Sequence, residues 1–169
     1  MTESVFSFPN PVNEVSARLV AGGVVLIALA AIIFGQPWIF IVLAYGFLAR
    51  VQTGPKLSPL GQFVTRVLTP ALPLEEKLVP GPPKRFAQGI GALFSVTAAV
   101  LAVGFDQIGA ASIVLAILVV FAMLESVFGI CVGCKVFALL MKAGVIPAEV
   151  CESCNNITLR APAAAAGSR

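Results

Sequence analysis

From Leu19 to Ala49 the chain runs thirty-one residues without a charge, and further uncharged stretches follow at Phe86–Phe105 and Ile108–Leu124. As one helix the first stretch would be about 46 Å long at 1.5 Å per residue, too long for a hydrocarbon core of about 30 Å. Gly35-Gln36-Pro37 divides it, and Gly followed closely by Pro signals chain reversal. The pattern predicts a tight hairpin with helices over 14–34 and 37–51. The second helix is short for a crossing, so a re-entrant hairpin is the other arrangement this stretch allows. A second hairpin is predicted over 86–105, twenty uncharged residues and the expected length of one crossing, and 108–130. Gly22-Gly23 on the first helix and Gly89, Gly91, Ser95, Ala98 and Ala99 on the third offer small-residue faces for close helix approach.

The segment between the hairpins, 52–85, is proline-rich and reads as a long loop. Within it, Leu60, Phe63, Val64, Val67 and Leu68 fall on one face at helical spacing. Such a helix either lies on the inner membrane surface, anchored by Arg66, or packs over the base of the bundle. Gly81-Pro82-Pro83-Lys84-Arg85 is expected to stop the loop at the next membrane entry. Met1–Asn13 lacks the basic start of a cleaved signal peptide and is read as retained. Phe6 and Phe8 then lie in the interface or in a frayed tail. The predicted whole is one four-helix transmembrane domain over 1–156 and a low-complexity, disordered tail over 157–169.

Composition agrees: 59% of residues are hydrophobic and 11% charged, with a mean hydropathy of +0.99. Soluble domains carry about 25% charged residues, so the fold class is an all-α integral membrane protein whose first partner is the lipid bilayer. The net charge of +3 says little, but its distribution decides orientation. The predicted outer turns, Gly35-Gln36-Pro37 and Asp106-Gln107, hold no Lys or Arg. The central segment holds Arg50, Lys56, Arg66, Lys77, Lys84 and Arg85, and the rest are Arg18, Lys135, Lys142, Arg160 and Arg169. Four crossings put every basic residue on one side, and the positive-inside rule makes that side cytoplasmic, with both termini and the Pro-rich loop. These charges flank spans and lack interleaved aromatics, which argues against nucleic acid as a partner.

All four cysteines lie near the end, as Cys131-Val132-Gly133-Cys134 and Cys151-Glu152-Ser153-Cys154, sixteen residues apart. On the cytoplasmic side permanent disulfides are disfavoured, so the pairs are expected to be metal-bound or transiently oxidised. The spacing falls inside the zinc pattern of C-x2-C pairs, in which four thiolates satisfy one tetrahedral ion. Against that, the first pair ends a hydrophobic helix, and the intervening residues read as continued helix rather than a ribbon hairpin. The redox reading uses the same residues: Cys131 and Cys134, three apart on a helix, share a face and reach each other as a reversible disulfide. Pro147 is a natural first helical residue, placing Cys151 and Cys154 one turn into a short helix, where thiol pKa values fall. Glu152 opposes that. Two such dithiols facing each other exchange disulfides.

Glu125 is the one acidic residue inside an apolar run, and intramembrane carboxylates are costly and usually face the bundle interior. It reads as a proton relay, or as an interfacial carboxylate paired with Arg18 or Arg50. On an unbroken helix, Cys131 and Cys134 lie about 240° and 180° around from it at about 100° per residue, facing away. A break at Gly129 changes that.

The segments FPNPVNEVSARLV, GPKLSPLGQ, GPPKRFAQGIGALFS and FGICVGCKVFALL with the CESC end resemble a bacterial, chiefly actinobacterial, integral membrane family, domain of unknown function 4395. The resemblance covers nearly the whole chain except the tail. It implies the bacterial plasma membrane, and members of that family often occur near thioredoxin-like and sulfurtransferase proteins. It therefore tilts the cysteines toward thiol or sulfur chemistry.

The leading expectation is a thiol–disulfide oxidoreductase or sulfur-transfer relay, with Cys131 and Cys134 as one dithiol, Cys151 and Cys154 as the other, and Glu125 as proton relay. Its partner would be a thioredoxin-like or sulfurtransferase protein. The competing expectation is a non-catalytic subunit, of a homo-oligomer or membrane complex, whose four cysteines bind one zinc, or in second place iron. A small-molecule transporter or channel has only Glu125 in its favour.

Overall fold

The computed structural model of the chain describes residues 8–73 and 75–151. Phe6, Cys154 and the expected tail over 157–169 lie outside them. The first hairpin is present as expected. Asn13 caps α1 (Glu14–Phe34), its side-chain oxygen accepting from Val15 N at 2.9 Å. Gly35 ends the helix in the left-handed conformation that glycine adopts without penalty (φ 60°). Pro37 then opens α2 (Pro37–Thr53), where its missing N–H loses nothing.

The predicted loop helix is split. α3 (Pro59–Phe63) is capped by Ser58 and runs through a π-helical turn, Val64–Leu68, into α4 (Thr69–Ala71). It packs over the base of the bundle: Val64 is buried, Leu60 lies against Gly23, and Ser16 Oγ meets Thr69 Oγ1 at 2.9 Å. Phe63 and Val67 from the same predicted face stay exposed.

Two elements were not foreseen. β1 (Val12–Asn13) pairs antiparallel with β2 (Leu78–Val79), tying the chain start to the end of the loop. Asn10 Oδ1 accepts from Gly81 N at 3.0 Å, so residues 8–13 are held rather than frayed. The third long helix also starts earlier than expected. α5 (Gly81–Ala99) takes in the whole Gly-Pro-Pro-Lys-Arg run as its first turn and continues through a π-helical turn, Val100–Gly104. Prolines in a first helical turn preset φ instead of stopping the chain. α6 (Ile108–Phe128) follows and ends two residues before the predicted boundary.

The four long helices close a ring. α1 packs chiefly on α6, α2 chiefly on α5, and the hairpin partners complete it. The interior holds Val24, Ala28, Phe40, Leu43, Ala98, Ala111 and Leu115. Large apolar side chains also cover the outside, with Leu26, Ile33, Leu93 and Ile113 each at least 67% exposed. An apolar exterior of this kind suits a lipid surround. α1, α5 with its π-helical turn, and α6 are long and apolar enough to cross a membrane. At 17 residues α2 is shorter, about 26 Å by the helical rise.

Candidate active site

The site is built where α6 ends. Gly129 takes the left-handed conformation (φ 67°), its N–H bonding Glu125 O and that of Ile130 bonding Leu124 O. This six-residue closure terminates the helix and satisfies its last carbonyls. Arg18 from α1 covers two more, donating to Ser126 O and Val127 O at 2.9–3.3 Å. A cation at a helix C-terminus is also favoured by the aligned peptide dipoles.

After this turn a new helix, α7 (Val132–Lys142), begins, and Cys131 is its N-cap. The expectation that both thiols lie on a continuing helix is thereby corrected. The Cys131 sulfur accepts from Cys134 N at 3.3 Å, standing where a Ser or Asn oxygen usually stands. α7 is fixed against α5: a Cβ on Gly133 would lie 2.6 Å from Ala87 Cα, and the Phe86 and Phe137 rings pack at 5.6 Å.

The break at Gly129 re-aims the chain so that Cys131 lines the same cleft as Glu125. The partner of Glu125 is neither Arg18 nor Arg50 but Lys84, whose Nζ lies 2.7 Å from Glu125 Oε1. The side chains are 9% and 18% exposed, so both charges are largely withdrawn from water. Arg50 is engaged elsewhere, donating to Gln88 Oε1 and Ser58 Oγ at 3.1 Å and lying over the Phe47 ring.

Cys131 and Cys134 lie beyond the α6 span with sulfurs 2.6 Å apart, Cys134 donating. The Cys131 thiol is held below its ordinary range, first by that hydrogen bond, against burial, which pushes the other way. Lys84 lowers it further, while Glu125 raises it. The Cys134 thiol is pushed up, first by its bond to Cys131 and then by burial. The two sulfurs are thus unequal, with the negative charge favoured on Cys131. Cys151, at the end of the 3-10 turn Ala148–Cys151, is buried and disulfide-bonded. Pro147 precedes that turn and does not open a longer helix among the described residues.

A cleft of about 180 Å³ adjoins the dithiol. Its walls are apolar, from Val20 and Val24 of α1, Phe47 of α2, and Leu118 and Phe121 of α6. Lys84, Gln88 and Glu125 form its polar part, and Cys131, but not Cys134, lines it. Cys134 is the less buried of the two thiols. Among the described residues, no three His, Cys, Asp or Glu side chains gather as a metal site requires. The four-thiolate set includes Cys154, outside those residues.

Lys84 is the site residue that sequence reasoning missed. In the sequence it carries weight only for topology, because Gly-Pro-Pro reads as a loop end. The available signal was the same pair of prolines read as a helix start, which puts Lys84 in the first turn of a span.

A family model described as "Domain of unknown function (DUF4395)" matches residues 12–142. The match contains Lys84, Glu125, Cys131 and Cys134 and stops short of Cys151 and Cys154, so the expected reach of the resemblance to the CESC end is not met. No curated protein and no solved structure matches the chain.

Proposed function

The chain belongs to the DUF4395 family, and we propose that it is a membrane thiol–disulfide oxidoreductase whose reacting pair is Cys131 and Cys134. The observation that carries this reading is the placement of the pair at the N-terminus of α7, with one sulfur donating to the other. A helix N-terminus and a neighbouring cation stabilise a thiolate, the form that attacks and leaves in disulfide exchange. The electrostatics give each sulfur its part.

In the oxidised protein a partner's thiolate attacks the Cys134 sulfur, the more accessible one. The Cys131–Cys134 bond breaks and Cys131 leaves as the stabilised thiolate. The partner's second thiol then attacks the mixed disulfide, releasing Cys134, which takes up a proton. The partner's dithiol is oxidised to its disulfide, and the Cys131–Cys134 disulfide is reduced to the dithiol. Glu125 exchanges protons with the pair, and Lys84 holds both Glu125 and the Cys131 charge in place. Cys151 and Cys154 form the second pair of the relay, and a thioredoxin-like protein is the partner whose chemistry fits. Four crossings with both termini in the cytoplasm suit the clustering of Arg18, Arg50, Lys84 and Arg85 at helix ends.

The zinc reading is separated by experiment. Anaerobic purification in detergent, followed by metal analysis and thiol counting, is the test. The redox reading expects no stoichiometric metal and a Cys131–Cys134 disulfide that forms with oxidant and is removed by reduced thioredoxin. About one zinc per chain, with thiols unreactive until chelation, would replace it with a structural site.

A further inference from the structure

The cleft beside Cys131 has no part in exchange with a protein partner, since such a partner reaches the less buried Cys134. Its composition is that of a site for an apolar molecule with a polar end. Val20, Val24, Phe47, Leu118 and Phe121 give an apolar wall inside a bundle whose exterior is itself apolar. At the other end stand the Lys84 ammonium, paired with Glu125, the Gln88 amide and the Cys131 sulfur. Arg50 is donor-only, so Gln88 must present Oε1 to it, which leaves the Gln88 Nε2 hydrogens for another acceptor. Two donors and a thiolate at the end of an apolar cleft match one chemical class: a lipid-soluble quinone, whose ring carbonyls accept hydrogen bonds and which takes two electrons.

We propose that this cleft binds the ring of a membrane quinone and that Cys131 passes electrons to it, a step that rests on the thiol–disulfide reading above. Cys131 as thiolate adds to a ring carbon, the ring oxygens being held by Lys84 and Gln88 and taking up a proton. Cys134 then loses its proton and attacks the Cys131 sulfur, breaking the carbon–sulfur bond. The disulfide forms, and the ring leaves as the quinol with both electrons and two protons. In sum, two thiols and one quinone give one disulfide and one quinol. The division of labour follows from position: Cys134 faces a protein donor, and Cys131 faces a lipid-phase acceptor.

The test uses full-length protein, reduced, freed of reductant and kept anaerobic in lipid nanodiscs. The probe is a fully substituted, short-tailed benzoquinone, which forms no lasting thiol adduct. Quinol is followed by absorbance and the Cys131–Cys134 disulfide by alkylation and mass spectrometry. The expected result is one quinol for each disulfide formed, the Cys131–Cys134 disulfide among them, at a rate that saturates with quinone. Ala122 of α6 also lines the cleft, and filling it with Ala122→Phe should slow this about a hundredfold by displacing the ring, while oxidation by diamide proceeds as in the parent. Should that variant fail to fold, saturation in the parent protein still decides. A rate that rises linearly with quinone, or equal rates in parent and folded variant, overturns the cleft as the site. Disulfide formation with diamide and reduction by thioredoxin, but no quinol, overturns this inference and leaves the oxidoreductase reading standing. No disulfide with any oxidant removes both.

Discussion

Cys131 receives its charge-stabilising contacts from two separate parts of the chain: Cys134, through both its thiol and its backbone N–H, and Lys84 from α5. Because only the thiolate alkylates, its pKa is read directly from the pH dependence of labelling. Cys131 should therefore label at pH values below the ordinary thiol midpoint of about 8.5, while Cys134 stays unlabelled there. Cys134→Ala removes the largest lowering influence and should move the Cys131 midpoint upward. Lys84→Met should move it the same way, since the thiolate loses a nearby cation. That variant carries a second cost. It leaves Glu125 largely buried without its partner, which should destabilise the protein by about 3 kcal/mol, and adding Glu125→Leu should recover most of the loss. Denaturation midpoints of the single and double variants in detergent check this. Equal midpoints for Lys84→Met and the parent would show that the pair is already solvated.

At the scale of elements, the placement of α7 decides whether these charges meet. Gly133 lets α7 touch the backbone of Ala87, and Gly129 supplies the left-handed turn that re-aims the chain. Gly133→Ala should cost about 1–3 kcal/mol through overpacking. It should also raise the Cys131 labelling midpoint by moving the thiol away from Lys84. A stability loss without that rise would separate packing from the electrostatics of the site. The same elements show what could be read from the chain. The first hairpin was legible because one uncharged run is too long for a single crossing, and Gly35 and Pro37 mark the reversal. Glu125 and the thiols were legible as chemistry because each is exceptional in its surroundings. Their meeting was not, for it depends on whether Gly129 breaks the helix, and a lone Gly permits either course. The Lys84 partnership was hidden by a Pro-Pro pair that signals loop end and helix start equally. The β1–β2 pairing rests on two residues per strand, too short for any alternation to register.

For the molecule as a whole, the main interfaces run between hairpins, α1 on α6 and α2 on α5, rather than within them. The connection carries the exposed Glu75 and Glu76, which take no part in the helical core. Expressing the chain as two pieces divided at that point should therefore yield halves that co-purify, with Cys131 labelling as in the intact protein. Halves that separate in mild detergent would show that the covalent loop, and not helix packing, holds the bundle. The Lys84–Glu125 pair tightens the second half internally, while Arg18 on α6 and Arg50 on Gln88 join the two.

This interleaving also bears on how the protein is made. The first hairpin leaves the ribosome with Ala28, Phe40 and Leu43 on a face whose chief partners have not yet been synthesised. Arg50 enters the same interval without Gln88, and Arg18 without the carbonyls it will cover. Until α5 and α6 are inserted, the nascent half must be shielded by lipid or by the insertion machinery, and a ribosome stalled in the central loop would leave behind a fragment marked for membrane proteolysis.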